Sequence, residues 1–109
     1  MTKKSEPYLI DILNSIIQIE TYLTEINHDK QTFEKNIEKQ DSVIRRLQII
    51  GEATKKLEEG YKSQFPEIPW KQIAGMRDVL IHDYDDVDID LVWKTIYEDL
   101  PILKNAVTK

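Results

Sequence analysis

A chain of 109 residues, with 15 basic and 20 acidic side chains and a formal charge of −5, is long enough for one hydrophobic core, so a single domain over 1–109 is expected. With no cysteine there is no disulfide framework and no thiolate metal site, and His28 and His82 lack partners at metal-ligand spacing, so no metal or cofactor is expected. The acidic balance argues against a general nucleic-acid coat, and no signal peptide or membrane-length apolar run is visible, which makes the cytoplasm the expected location.

The first predicted element is a helix. Leu9, Ile12, Ile16, Ile19, Leu23 and Ile26 recur at alternating steps of three and four, one apolar stripe with near-heptad spacing. Ser5 suits its N-cap, Pro7 suits its first turn, and Asn27-His28-Asp29 suits its stop.

The second helix is longer. Phe33, Ile37, Ile44, Leu47, Ile50, Thr54, Leu57 and Tyr61 lie near one face, and the start falls either at Thr32 or after a break near Gln40-Asp41. Gly51 inside it costs about 1 kcal/mol against alanine, which a close helix–helix contact would explain. Phe65-Pro66-Glu67-Ile68-Pro69 is a connector, and the third helix starts at Pro69 or Trp70 with Trp70, Ile73, Ala74, Leu80 and Ile81 on its apolar face.

Asp83 to Asp90 is an acidic connector with five aspartates. The last helix follows, with Ile89, Val92, Trp93, Ile96, Leu100, Leu103 and Val107 inward, and Pro101 should kink or break it by clashing with the Tyr97 carbonyl. No segment reads as a strand. The expected fold is all-α, a four-helix bundle with short connections.

Several candidate sites have ordinary readings. The aspartate run fails as a calcium loop, because from Asp86 the sixth position is Leu91 and the twelfth is Tyr97, where glycine and glutamate are needed. Asp88 reads instead as the cap of the last helix. Glu52 reads as solvated or paired with Lys55 or Lys56, ahead of a contact to a partner or substrate. Trp70 and Trp93 read as core, and His28 as a solvated loop residue. Residues 41–82 carry seven basic and six acidic side chains, a mild excess that reads as solvated surface.

One constellation remains, Arg77-Asp78-Val79-Leu80-Ile81-His82-Asp83-Tyr84. On a continuing helix Arg77 and Tyr84 share a face, and Asp78 and His82 share another, where Asp78 can accept a hydrogen bond from His82, orient it and raise its pKa. Arg77 and His82 lie about 140° apart around the axis. Either the helix ends near Ile81 and His82 swings back, or a second chain completes the site. By spacing alone, the favoured reading is a surface arginine and a histidine near a helix C-terminus.

Arg77-x4-His82-x-Tyr84 nevertheless resembles the R-x4-6-H-x-Y signature of HEPN-domain proteins, in particular the HepT-like toxins. Arg46-Leu47-Gln48-Ile49-Ile50-Gly51-Glu52-Ala53 resembles that family's second-helix block, Pro66 to Tyr84 its central block, and Val87-Asp88, Val92-Trp93 and Leu100-Pro101 its last helix. The resemblance implies a HEPN-like bundle with short additional helical segments that forms a homodimer and brings two R-x4-H motifs into a cleft. It implies metal-independent RNA cleavage by Arg77 and His82, with Asp78 beside them. It also implies a toxin–antitoxin pairing in which a minimal, MntA-like nucleotidyltransferase antitoxin transfers AMP to Tyr84. The family often has asparagine or another polar residue after the arginine, where this chain has Asp78. The alternative reading is a non-catalytic binding module, a helical scaffold for the nucleotidyltransferase.

Overall fold

The computed structural model describes the backbone of residues 4–82 and 88–108, and the side chains of 4–76 and 88–108. In chain order the elements are α1 (Glu6–Glu25), α2 (Lys30–Lys35), α3 (Ile37–Lys55), α4 (Glu59–Lys62), α5 (Trp70–His82), α6 (Ile89–Lys94), a π-helical turn (Thr95–Asp99) and α7 (Leu100–Val107). No strand occurs among the described residues, and the fold is all-α. The long helix α3 packs against both α1 and α5, and α1 also packs against α7.

The predicted stripe of α1 is buried as a whole, from Leu9 to Ile26. Burying an aliphatic side chain of this kind stabilises by about 1.5–3 kcal/mol, so the stripe is a principal seam of the core. The stop also falls as expected. Asn27 and His28 both adopt left-handed backbone, φ 57° and 55°, and the His28 N–H donates back to the Leu23 carbonyl at 2.9 Å. Asp29 then caps α2 by accepting from the Gln31 N–H and the Thr32 hydroxyl.

Two details differ from expectation at the first two helices. Ser5 occupies the N-cap position of α1, yet its hydroxyl does not cap; fully buried, it accepts from the Glu58 N–H at 3.2 Å. The start of α1 is thereby tied to the segment after α3. The second predicted helix is two helices broken at Asn36, neither one helix starting at Thr32 nor one starting after a break near Gln40-Asp41. Asn36 adopts extended backbone and caps α3 through the Lys39 N–H, while the Gln40 amide donates to the carbonyls of Phe33 and Glu34. A non-helical residue resets the helical phase, so Ile37 leaves the stripe and is 71% exposed. Beyond the break Ile44, Leu47, Ile50, Thr54, Leu57 and Tyr61 are buried, joined by Val43.

The C-terminal helix does not break at Pro101. Having no N–H, the proline cannot donate the helical bond to the Tyr97 carbonyl, and the helix widens into the π-helical turn Thr95–Asp99 immediately before α7. Val92, Ile96, Leu100 and Leu103 stay buried through this widening. Asp88 caps α6 as expected, accepting from the Leu91 N–H. No helix among the described residues is long and apolar enough to cross a membrane.

Candidate active site

The helix that carries the Arg77–His82 motif is anchored at its start. Pro66 and Pro69 keep the connector extended or turned, Ile68 is buried, and the Trp70 and Ile73 N–H groups donate to the Ile68 and Pro69 carbonyls. The Trp70 indole donates to the carbonyls of Lys62 and Phe65, both at 3.0 Å, while its ring meets Tyr61 edge-on. Ile73 enters the core and Met76 packs against it. Trp70 and Trp93 thus pack as expected, Trp93 against Phe33 at 5.4 Å and Tyr97 at 4.8 Å between centroids.

From this anchor the helical backbone runs on through Arg77 and Asp78 to His82. The backbone therefore does not end before His82, and positions 77 and 82 keep their separation of about 140° around the axis. The helix ends at His82, next to the expected end near Ile81, and the side chains of Arg77 and His82 lie outside those described. The expected Asp78–His82 hydrogen bond concerns side chains outside those described. Tyr84 and the aspartates 83, 85 and 86 also lie outside the described residues.

Three grooves adjoin α5 and its packing partner α3. One, of about 500 Å³, lies among the end of α3, α4 and the start of α5, lined by Lys55, Glu59, Lys62, Ser63, Trp70, Lys71 and Ala74. A second lies between α5 and the C-terminal helix, where Gln72, Ile73 and Met76 face Leu91, Lys94, Glu98 and Asp99. Burial, reinforced by the neighbouring Glu98 charge, raises the Asp99 carboxyl above the usual aspartate range, with Lys94 opposing. The third runs between α1 and α3, where Asp11 and Glu52 share the walls with Arg45 and Lys56. Lys56 lies over the Tyr8 ring there, 6.0 Å from its centroid. Glu52 is exposed and belongs to this mixed-charge groove.

Other polar groups depart from the sequence expectation. His28 remains exposed, but its Nδ1 is 2.7 Å from the Tyr97 hydroxyl. Burial raises the Tyr97 phenol and favours its protonated form, which can donate to a neutral imidazole. On α3, Arg46 Nε and Thr54 Oγ1 are buried with no hydrogen-bond partner among the described residues. No group of acidic and histidine side chains suited to a metal occurs among the described residues. The three-lysine groove escaped sequence reasoning, because Lys55, Lys62 and Lys71 sit on three different elements; the only signal was the small basic excess of 41–82.

The family described as ribonuclease HepT-like matches residues 12–109. A probable ribonuclease HepT of Thermococcus cleftensis is 43% identical over 109 residues, covering 100% of this chain and 97% of its own. A gamma-glutamylcyclotransferase and putative RNase of Methanocaldococcus jannaschii is 42% identical over all of this chain, which spans 48% of that relative's length. A putative RNase of the same organism is 36% identical over 108 residues, 98% of this chain and 97% of the relative. No solved structure matches.

Proposed function

The chain belongs to the ribonuclease HepT-like family, and from that premise we propose that it is an RNA-cleaving toxin whose active site is built from Arg77 and His82 of two copies of the chain. The observation that carries the reading is the position of Arg77 and His82 of the motif at the end of α5, within a chain matched along nearly its whole length by relatives named as probable or putative ribonucleases. The helical backbone through His82 supports a shared site. One regular helix cannot aim positions 77 and 82 at one small target, and a second copy supplies the missing direction.

RNA carries its own nucleophile. One His82 removes the 2′-hydroxyl proton, the 2′-oxygen attacks the adjacent phosphorus, and the partner's His82 protonates the departing 5′-oxygen. A 2′,3′-cyclic phosphate and a 5′-hydroxyl result. Arg77 holds the phosphate oxygens bidentately and stabilises the charge that builds on them in the transition state. Asp78 orients His82 through a hydrogen bond. This route calls on no metal ion. Substituting alanine at Arg77 or His82 is expected to reduce cleavage by a factor of 10² or more, the usual scale of a lost acid–base or charge-stabilising group. The assay is RNA cleavage in EDTA, and equal rates for wild type and both variants would sink the reading.

The antitoxin is a minimal nucleotidyltransferase that transfers AMP from ATP to the Tyr84 phenol, releasing pyrophosphate. Bulk and negative charge beside Arg77 then repel the RNA backbone. The net charge of −5 gives some weight to a second reading, in which the helical dimer is chiefly the substrate and scaffold of that partner. Intact-mass measurement after incubation with the transferase and ATP addresses both. The wild type gains one AMP, Tyr84→Phe gains none, and equal gain by both excludes Tyr84 as the acceptor.

A further inference from the structure

The proposed chemistry at Arg77 and His82 needs a strand of RNA held across it, yet the chain is acidic overall. The surface around α5 is not uniform. The groove between α5 and the C-terminal helix sets Lys94 against Glu98 and Asp99. The groove between α1 and α3 balances Arg45 and Lys56 with Asp11 and Glu52. The groove at the start of α5 differs from both, its described lining holding Lys55, Lys62 and Lys71 and one carboxylate, Glu59. Glu59 is 92% exposed and bridges Lys62 within its own helix, a contact worth little in water, whereas the Lys62 side chain is 17% exposed and held in the wall.

Two further features point to a strand rather than to a lone anion. Trp70 lines the same groove, and its indole N–H is bound to the carbonyls of Lys62 and Phe65, which fixes the ring while leaving it half-buried. A basic groove with a fixed aromatic face is the combination that takes a sugar–phosphate backbone and a stacked base together. Lys71 also stands on α5, the helix of the proposed catalytic residues. Positions 78 and 82 follow it by 7 and 11 residues, so the helical backbone carries them along the same line of the axis. The distance from Lys71 to position 82 is about 16 Å at 1.5 Å per residue, a run of a few nucleotides.

We propose that the groove of Lys55, Lys62, Lys71 and Trp70 is a binding subsite for the backbone of single-stranded RNA, holding nucleotides a few residues away from the bond that is cut. The inference rests on the ribonuclease reading for its substrate. It makes the three lysines binding residues and gives them no part in the chemical step. It also answers the charge problem, since the positive surface is local, on the helix of the motif.

The test is steady-state cleavage of a short single-stranded RNA by wild type and by Lys55→Gln/Lys62→Gln/Lys71→Gln, over a range of salt concentrations. The triple variant is expected to raise KM about tenfold while leaving kcat near the wild-type value, the signature of lost uniform binding. The slope of log affinity against log salt should fall by about 2, at about 0.7 per phosphate contact on a single strand. Lys71→Gln alone should lower it by about 0.7, and keeps the test readable if the triple variant fails to fold. Lys35→Gln, on α2, should change neither quantity. Unchanged KM and salt slope in an active triple variant overturn the subsite and leave the ribonuclease reading standing. If the wild type fails to cut RNA, that reading falls instead. Titration of a labelled single strand against the same variants then decides the groove on its own, an unchanged slope again overturning it.

Discussion

Asp99 sits where the C-terminal helix widens into its π-helical turn, half-buried beside Glu98 and against the flank of α5. Burial is the first cause of its raised pKa and the Glu98 charge the second. A carboxyl whose folded pKa lies above its unfolded value opposes folding once it ionises, so its contribution is most favourable below the unfolded value and is lost as pH rises through the folded one. Asp99→Asn is therefore expected to raise the melting temperature at neutral pH, with the gain shrinking as pH falls through the raised folded value and gone below about 4, where both states are protonated. Thermal melts of the two proteins across pH check this, and a gain independent of pH would contradict it. Ser5 and His28 show the same dependence on surroundings. Each is a polar residue at a helix end, and each found a partner far along the chain, Ser5 at Glu58 and His28 at Tyr97. Local pattern predicts local partners, so neither pairing was legible beforehand.

At the scale of elements, the apolar period reads well along α1 and most of α3, while Leu80 and Ile81 of the expected α5 face lie outside the described side chains. The stripe of α1 and the Ile44–Ile50–Leu57 run of α3 are buried as their spacing requires. It reads poorly across a break. Phe33 is fully buried and Ile37 is exposed, although they stand four apart, because the Asn36 cap between them changes the direction of the chain. The response to Pro101 was legible only in part. A proline at that position removes one N–H, but whether the helix bends, stops or widens depends on what holds the residues on both sides. Here Val92, Ile96, Leu100 and Leu103 must all reach the core, and a π-helical turn keeps them inward where a break would release them. The motif helix α5 matched its expected start at Trp70 and kept helical backbone through His82.

At the scale of the whole molecule, the question is whether one chain or two make the proposed site. If the two His82 side chains of a dimer act in one cleft as base and acid, a heterodimer of wild type with His82→Ala lacks one of them and should be inactive. Random exchange between equal amounts should then leave about a quarter of the cleavage given by the same total of wild-type chain, the share of dimers with both chains intact. Mixing the purified proteins and following RNA cleavage measures this. About half, after demonstrated subunit exchange, would mean that each chain works by itself.

Residue order alone determined the all-α class, the face that α1 and most of α3 bury and the motif that carries the proposed chemistry, because helical periodicity and motif spacing are local properties of the chain. Tertiary structure decided the rest. It set where the second helix breaks, how the last helix accommodates Pro101, and which polar groups meet across long separations. It also gathered Lys55, Lys62 and Lys71 around Trp70 into one basic groove on an acidic protein. These three lysines belong to α3, α4 and α5, and only packing brings α3, α4 and α5 to one place. Charge acts through distance in space, which is why a chain that is acidic by its sum can still gather a basic groove.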